Sequence, residues 1–362
     1  MDHKMKVALI FGGKSVEHEV SLQSAENVFE AIDKTKYEVI LIGIDKEGLW
    51  RLVTPSIFRG KEHWKDKDQV IFLPHPERGQ LFNYSQGRLI GPVDVVFPLL
   101  HGLLGEDGTI QGMLRLLNLP FVGTGVLGSA IGMNKEITKR LLREAGIPVV
   151  HFLSLIPSSC INFQEVVEQI GLPFFVKPAS LGSSVGISKV KKEEEFLPAL
   201  ENAFQYDQKV LLEEYIEGQE IECSVLGNEN PIASIPGEIV PQHEFYSYEA
   251  KYLDEKGAIL LIPARLPKKT AEAIREIALR SFKTLYCEGM ARVDFLVRNK
   301  KEIFVSEVNT IPGFTRISMY PKLWEASGIP YPELIDRLIH LALDRFGKEK
   351  HLKTHYTLPD KG

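Results

Sequence analysis

The sequence predicts three domains of mixed α/β and α+β class, the first of them doubly wound. Three observations carry that expectation. The chain has 362 residues, too many for one ordinary domain of about 100–200 residues. Its first third alternates strand and helix periodicities, as a doubly wound unit does. The remainder is richer in short strands, and a glycine-rich stretch separates the two. The boundaries expected from these changes are 1–123, 124–213 and 214–362.

In the first domain, Val7-Ala8-Leu9-Ile10-Phe11 reads as a buried strand stopped by Gly12-Gly13. A helix is expected over 15–32, with Val16, Val20, Val28, Phe29 and Ile32 roughly on one face. A strand over 39–44 follows, then a less regular stretch with a polar segment at 74–91. Residues 93–100 give another buried strand and 109–117 another helix. Beyond the glycine-rich 122–132, a helix over 135–145 is stopped by Gly146 and Pro148. The middle domain reads as a strand from 149, helix 163–170, strand 174–176, a glycine loop, strand 187–190, helix 193–204 and strand 210–213. The last domain has strands at 221–226, 232–235 and 259–262, a helix over 268–285, and paired strands at 291–297 and 302–308. Within it, 242–257 is an irregular stretch with three tyrosines, expected to be a mobile lid.

Composition narrows the function. Hydrophobic residues make up 44% and charged residues 25%, the mixture of a globular protein with real cores. The net charge of -5 is small, and Lys and Arg alternate with Asp and Glu, so no basic surface invites a nucleic acid. Cys160, Cys223 and Cys287 are odd in number and in no metal-binding or disulfide spacing, which fits a reducing compartment. The apolar run at 7–11 is too short for a signal-peptide core, and no stretch approaches the ~18 apolar residues of a membrane span. A cytoplasmic protein without a membrane partner is expected.

Two glycine motifs suggest other chemistry. Gly13-Lys14-Ser15 lies between strand and helix like the end of a P-loop, but the leading glycine of that motif would fall at Ala8, inside the strand. Gly123-Thr124-Gly125-Val126-Leu127-Gly128 matches the dinucleotide fingerprint G-x-G-x-x-G. Its acidic residue at about the right distance, Glu144, lies within a helix rather than at the end of a second strand, where it could reach a ribose.

A stronger signal is Lys177-Pro178-Ala179-Ser180-Leu181-Gly182-Ser183-Ser184-Val185-Gly186 between two strands. Such a loop exposes successive backbone N–H groups and hydroxyls that can fold over phosphate oxygens, and Lys177 adds a point charge. Alone, it is equally an ordinary tight loop. Downstream, Arg292 with Asp294, and Glu307 with Asn309, each share one face of a strand at i and i+2 within apolar runs. If these strands pair through a turn at 299–301, Asp294, Glu307 and Asn309 converge. Hard oxygen ligands of this kind suit magnesium, which completes its shell with water and nucleotide phosphates. The alternative is a solvated polar face on an edge hairpin. Pro312-Gly313 follows at once, a turn where glycine lets the backbone approach a ligand.

These blocks resemble the ATP-grasp superfamily, and within it the D-alanine–D-alanine ligase family, over nearly the whole chain. They are Gly12-Gly13-Lys14-Ser15-Val16-Glu17-His18-Glu19-Val20-Ser21, His101-Gly102 with Gly105-Glu106-Asp107-Gly108, the 177–186 loop, Glu249-Ala250-Lys251-Tyr252, and Glu307-Val308-Asn309-Thr310 with Pro312-Gly313. The resemblance implies a three-domain ATP-grasp fold. It also implies the ATP-dependent joining of two D-alanine molecules through an acyl phosphate, for peptidoglycan precursor synthesis, by a cytoplasmic homodimer. By the same resemblance, Lys135 and Lys177 bind the ATP phosphates with Ser183 and Ser184, Glu213 the adenine amino group and Glu220 the ribose hydroxyls. Asp294, Glu307 and Asn309 match a site for two Mg²⁺ ions, for which Mn²⁺ can substitute. Arg292 and the Gly313 N–H match the donors to the tetrahedral oxyanion.

Glu17 matches the group that holds the first substrate's ammonium, in one hydrogen-bonded set with Ser183 and Tyr252. His101 matches a residue near the first D-alanine, and Lys251 and Ser318 would meet the second substrate's carboxylate. Plainer roles stay open: surface ion pairing for Lys135 and Glu213, a first-turn acid favouring the helix dipole for Glu17, a structural histidine at 101. Among whole-chain alternatives, a D-alanine–D-lactate ligase would differ around Tyr252. A Rossmann-type oxidoreductase leaves Asp294, Glu307 and Asn309 without a task, and a catalytically silent nucleotide-binding protein is the third.

Overall fold

The computed structural model describes residues 4–60, 63–183, 185–241 and 258–353. Strand β1 (Met5–Gly12) pairs in parallel with β2 (Tyr37–Ile44), and β3 (Trp50–Val53) lies antiparallel on the outer side of β2. Val7 to Phe11 are fully buried, as a continuous apolar run demands of a strand covered on both faces. Helix α1 (His18–Ala31) buries Val20, Ala25 and Val28. It begins three residues later than expected, because Glu17 takes the N-cap position with ψ 17° and the chain before it forms a turn.

The stretch expected to be irregular holds a small antiparallel sheet of β4 (Val70–Leu73), β5 (Gln80–Asn83) and β6 (Arg88–Pro92). These strands are too short to show an alternation in sequence. β7 (Val95–Leu99) then completes the first sheet, in the order β3–β2–β1–β7. Helix α2 (Thr109–Leu116) matches its expectation. The glycine-rich segment is largely a helix, α3 (Val126–Met133). A Cβ at Gly128 would stand 2.4 Å from the Tyr286 carbonyl oxygen, so this glycine serves close helix packing. α4 (Lys135–Glu144) follows, capped by Asn134, whose side chain accepts the Ile137 N–H at 3.0 Å.

The middle sheet comprises β8 (Phe152–Leu155), β9 (Phe174–Pro178), β10 (Ser188–Val190) and β11 (Val210–Glu214), all antiparallel, in the order β10–β9–β11–β8. Helices α5 (Phe163–Ile170) and α6 (Phe196–Phe204) cover one face, packing Val166, Phe196 and Ala203 against Phe174, Val176 and Leu212. The alternate residues Lys177 and Glu213 point to the other face, towards the site.

The third sheet is built of β12 (Gln219–Gly227), β13 (Ile232–Ala233), β14 (Gly237–Pro241), β15 (Ala258–Leu261), β16 (Gly289–Arg298) and β17 (Glu302–Asn309). Its order is β15–β14–β12–β16–β17, with β13 beside β12. Helix α7 (Lys268–Thr284) buries Ile274, Ala278 and Phe282 under it. Two helices that the sequence did not announce follow, α8 (Met319–Ala326) and α9 (Tyr331–Lys350). Their Tyr320, Trp324, Leu334, Leu338 and Ile339 join Leu9, Phe97 and Leu99 in one core, so the end of the chain packs against its beginning.

Candidate active site

The β16–β17 hairpin turns over residues 299–301, where Asn299 and Lys300 take positive φ (53° and 56°) and the Lys301 N–H donates to the Arg298 carbonyl at 3.1 Å. Its register sets Arg292 opposite Asn309 and Asp294 opposite Glu307. Asn309 Nδ2 donates to Asp294 Oδ2 at 2.9 Å, and Arg292 donates from Nε and Nη2 to the two oxygens of Asp294, both at 2.7 Å. The expected convergence therefore occurs. The solvated-hairpin alternative does not hold, since the side chains of Arg292 and Asp294 are only 19% and 16% exposed.

One residue of this face went unseen in the sequence. Glu222 on β12 stands opposite Asp294, so Glu222, Asp294 and Glu307 form a row across three adjacent strands. Its signal was the same i, i+2 alternation, Glu220, Glu222 and Ser224 between apolar neighbours. Burial works against the Arg292 charge, but Asp294 and Glu222 hold its pKa well above the ordinary value.

Facing the hairpin is a wall of lysines. Lys177 Nζ donates to Glu213 Oε2 at 2.6 Å, and Lys139 Nζ lies 3.3 Å from the other oxygen while donating to the Ser306 carbonyl at 2.8 Å. Burial would raise the Glu213 pKa, yet Lys139 and Lys177 bring it down to about 2. Lys139, fully buried, has its own pKa lowered by that burial. It escaped notice in the sequence although it lies one turn beyond Lys135 on α4. Lys135 Nζ donates to the Leu181 carbonyl at 2.5 Å and stands 3.8 Å from Glu307 Oε2, linking the glycine loop to the hairpin. Surface ion pairing does not describe Lys135 or Glu213, since both are buried.

The third side comes from the N-terminal sheet. Ser183 Oγ donates to Glu17 Oε1, joining two of the three members of the expected set. Glu17 occupies the N-cap rather than the first turn and makes no side-chain cap bond. A Cβ at Gly102 would lie 2.7 Å from Glu17 Oε2, so the carboxylate depends on glycine there. His101 is buried, its Nδ1 3.1 Å from the Ile311 carbonyl oxygen and its Nε2 3.1 Å from Ser24 Oγ. A carbonyl can only accept, so Nδ1 carries the hydrogen and Nε2 accepts from Ser24. Burial lowers the His101 pKa and keeps the ring neutral.

Ser24 Oγ in turn accepts the Phe314 N–H at 3.2 Å. Glu106, also missed, accepts the Gly102 and Ile311 N–H groups at 2.8 and 3.1 Å. Burial, and then the charge of Glu17, pushes its pKa up to about 8 against the pull of those donors. The backbone of 311–314 is thereby held from the N-terminal side. At its centre, Gly313 approaches Ser318 so closely that a Cβ would stand 2.7 Å from the hydroxyl oxygen.

The three sides meet at a cleft lined among others by Glu106, Lys135, Gly182, Glu307 and Asn309. Among the described residues no three His, Cys, Asp or Glu side chains cluster as a complete metal site. Two carboxylates and an amide oxygen are what a magnesium ion finished by phosphates and water needs, so Asp294, Glu307 and Asn309 fit it. Glu220 lies on β12, on the same face as Glu222. Ser184, Lys251, Tyr252 and the expected lid at 242–257 lie outside the described residues.

A glycine loop and Lys177 on one sheet, flanked by Lys135 and Lys139 of α4 and facing an acidic hairpin on another sheet, define an ATP-grasp enzyme. A family model described as the D-ala D-ala ligase N-terminus matches residues 6–124, and one described as the D-ala D-ala ligase C-terminus matches 141–340. The chain is 51% identical over 360 residues to a D-alanine–D-alanine ligase of Oceanobacillus iheyensis, covering 97% of this chain and 98% of that one. Among solved structures it resembles the VanG D-Ala:D-Ser ligase of Enterococcus faecalis, with TM-score 0.83, 36% identity and coverage of 94% and 100% of the two chains. It also resembles a D-alanine–D-alanine ligase of Bacillus anthracis solved with ATP, with TM-score 0.73, 31% identity and coverage of 95% and 99%. The chain belongs to the D-alanine–D-alanine ligase family. No helix among the described residues is long and apolar enough to cross a membrane.

Proposed function

We propose that the chain condenses two D-alanine molecules to D-alanyl-D-alanine at the expense of ATP, for peptidoglycan precursor synthesis, as a cytoplasmic homodimer using magnesium. The observation that carries the chemistry is the hairpin register, which sets Asp294 beside Glu307 within reach of Lys135. In this reading the first substrate's carboxylate attacks the γ-phosphorus, ADP leaves, and an acyl phosphate forms. The amine of the second substrate then attacks the acyl carbon, and phosphate departs after the tetrahedral stage.

Lys135 and Lys177, with the hydroxyls and N–H groups of the 182–186 loop, neutralise the transferring phosphoryl group. Asp294, Glu307 and Asn309 would hold magnesium, which would supply further neutralisation of the nucleotide's phosphate charge. Lys177 shares Glu213 with the adenine amino group, and Glu220 receives the ribose hydroxyls. Glu17 holds the first ammonium, and Ser183 and Tyr252 keep that carboxylate oriented. Arg292 and the Gly313 N–H receive the oxyanion. His101 and Glu106 hold the backbone that carries Gly313, and Ser318 and Lys251 meet the second carboxylate. A phenol at Tyr252 carries no positive charge that would repel an incoming ammonium group, so an amino acid is favoured over D-lactate.

The test is product analysis with D-alanine, D-lactate and D-serine together at equal concentrations, at pH 7 with ATP and magnesium. D-alanyl-D-alanine should predominate. A predominant depsipeptide or D-alanyl-D-serine would overturn the second-substrate assignment.

A further inference from the structure

Arg292 carries two demands that conflict. Its Nε and Nη2 hydrogens go to Asp294, yet Asp294 is also one of the three oxygen donors that fit a divalent ion. Once Asp294 turns to a cation, the guanidinium stands beside a new positive charge without its neutralising carboxylate. An arginine left so in a buried site is strongly disfavoured. A second carboxylate is already in place: Glu222 Oε2 lies 3.0 Å from the same Nε. Nε bears a single hydrogen, and that hydrogen now goes to Asp294 Oδ1. The register puts Glu222 on β12, on the side of Asp294 away from Glu307. A cation between Asp294 and Glu307 therefore draws Asp294 one way while Glu222 keeps the guanidinium on the other.

We propose that Glu222 is a positioning residue that takes the Arg292 Nε–H when Asp294 engages the divalent ion, and so keeps the guanidinium aimed at the developing oxyanion. This rests on the metal reading of Asp294 and Glu307 and deepens it. Without Glu222, Asp294 is the one carboxylate among the described residues left in ion-pair range of Arg292, so the guanidinium stays on it and the ion must compete with it. Two consequences separate this from a merely structural salt bridge. Metal affinity depends on Glu222 although Glu222 is not a ligand, and that dependence vanishes when Arg292 is absent.

The experiment is a double-mutant cycle of Glu222→Gln and Arg292→Met, read by Mn²⁺ paramagnetic resonance with saturating ADP and no D-alanine, so that no turnover occurs. Glu222→Gln is expected to weaken Mn²⁺ binding about 10-fold in the wild-type background and less than about twofold beside Arg292→Met. In steady state the same variant should lower kcat more than it changes the KM for ATP. Equal losses of Mn²⁺ affinity in both backgrounds would make Glu222 a ligand or a long-range charge and overturn the proposal, as would no loss in either. Should Glu222→Gln fail to fold, Glu222→Asp keeps the charge and shortens the reach. It is expected to lose about threefold in Mn²⁺ affinity only when Arg292 is present, and wild-type affinity there would be equally contrary. Glu307→Gln is the control: unchanged Mn²⁺ binding in that variant would remove the metal reading itself, independently of Glu222.

Discussion

The acidic hairpin and the 311–314 turn that follows it are continuous in sequence and are built in opposite ways. The hairpin is local. Asn309 meets Asp294 only 15 residues away, through a turn whose two central residues have positive φ. The turn is held from far off: Glu106 reaches Ile311 across 205 residues, His101 the same residue across 210, and Ser24 Phe314 across 290. One element can fix the proposed metal ligands by strand register alone. The other can place the proposed oxyanion donor, the Gly313 N–H, only after the last helices have packed against the first sheet. Damage to the hairpin should therefore remove chemistry, and damage to the far contacts should misplace it.

Glu307→Gln tests the first half of that contrast and should have the largest effect. Removing one anionic ligand without changing volume should lower kcat at limiting magnesium by more than about 100-fold, while the thermal midpoint stays near wild type. Turnover close to wild type under those conditions would take Glu307 out of the metal site. His101→Ala tests the second half. It deletes the bridge from Ser24 to the Ile311 carbonyl and should lower kcat by about 10- to 100-fold through displacement of Gly313. The KM for ATP should stay nearly constant, because the lysine wall is untouched; a KM effect larger than the kcat effect would show that His101 serves the nucleotide instead.

The same contrast explains what was legible in the sequence. Strand β1 and the hairpin each declare themselves within a window of some ten to twenty residues, by an apolar run and by two alternating strands. Asp294, Glu307 and Asn309 followed because alternation fixes the face, and a paired register fixes the neighbour. Glu222 obeyed the same rule but lay on a strand whose pairing to β16 spans a long insertion. Glu106 and Lys139 had no such pattern: one is a loop carboxylate and the other a lysine in a helix of mixed charge, and only tertiary packing half-buries the first and buries the second. Helix α3 was hidden by Gly128 and Gly132, and the strands of β4–β6 by their brevity.

The smallest expected effect is a pH drift at Glu106. Its pKa is raised to about 8 from an ordinary value of 4.5. The stabilising term is thus fully present below pH 4.5, where folded and unfolded chains are both protonated, and is lost as pH rises through about 8. Glu106→Gln cannot titrate. The stability of wild type relative to this variant should fall by about 1–3 kcal/mol between pH 5 and 8.5, and a gap that widens in favour of wild type would reverse the sign.

The claim on which both regions depend is that the lysine wall and the acidic hairpin together turn the first substrate's carboxylate into an acyl phosphate. The direct measurement uses D-alanine labelled with ¹⁸O in both carboxylate oxygens, with mass analysis of the phosphate released during turnover. One ¹⁸O atom should appear in inorganic phosphate for each dipeptide formed, because the attacking carboxylate oxygen leaves with the phosphoryl group. Unlabelled phosphate accompanying labelled dipeptide would contradict the account.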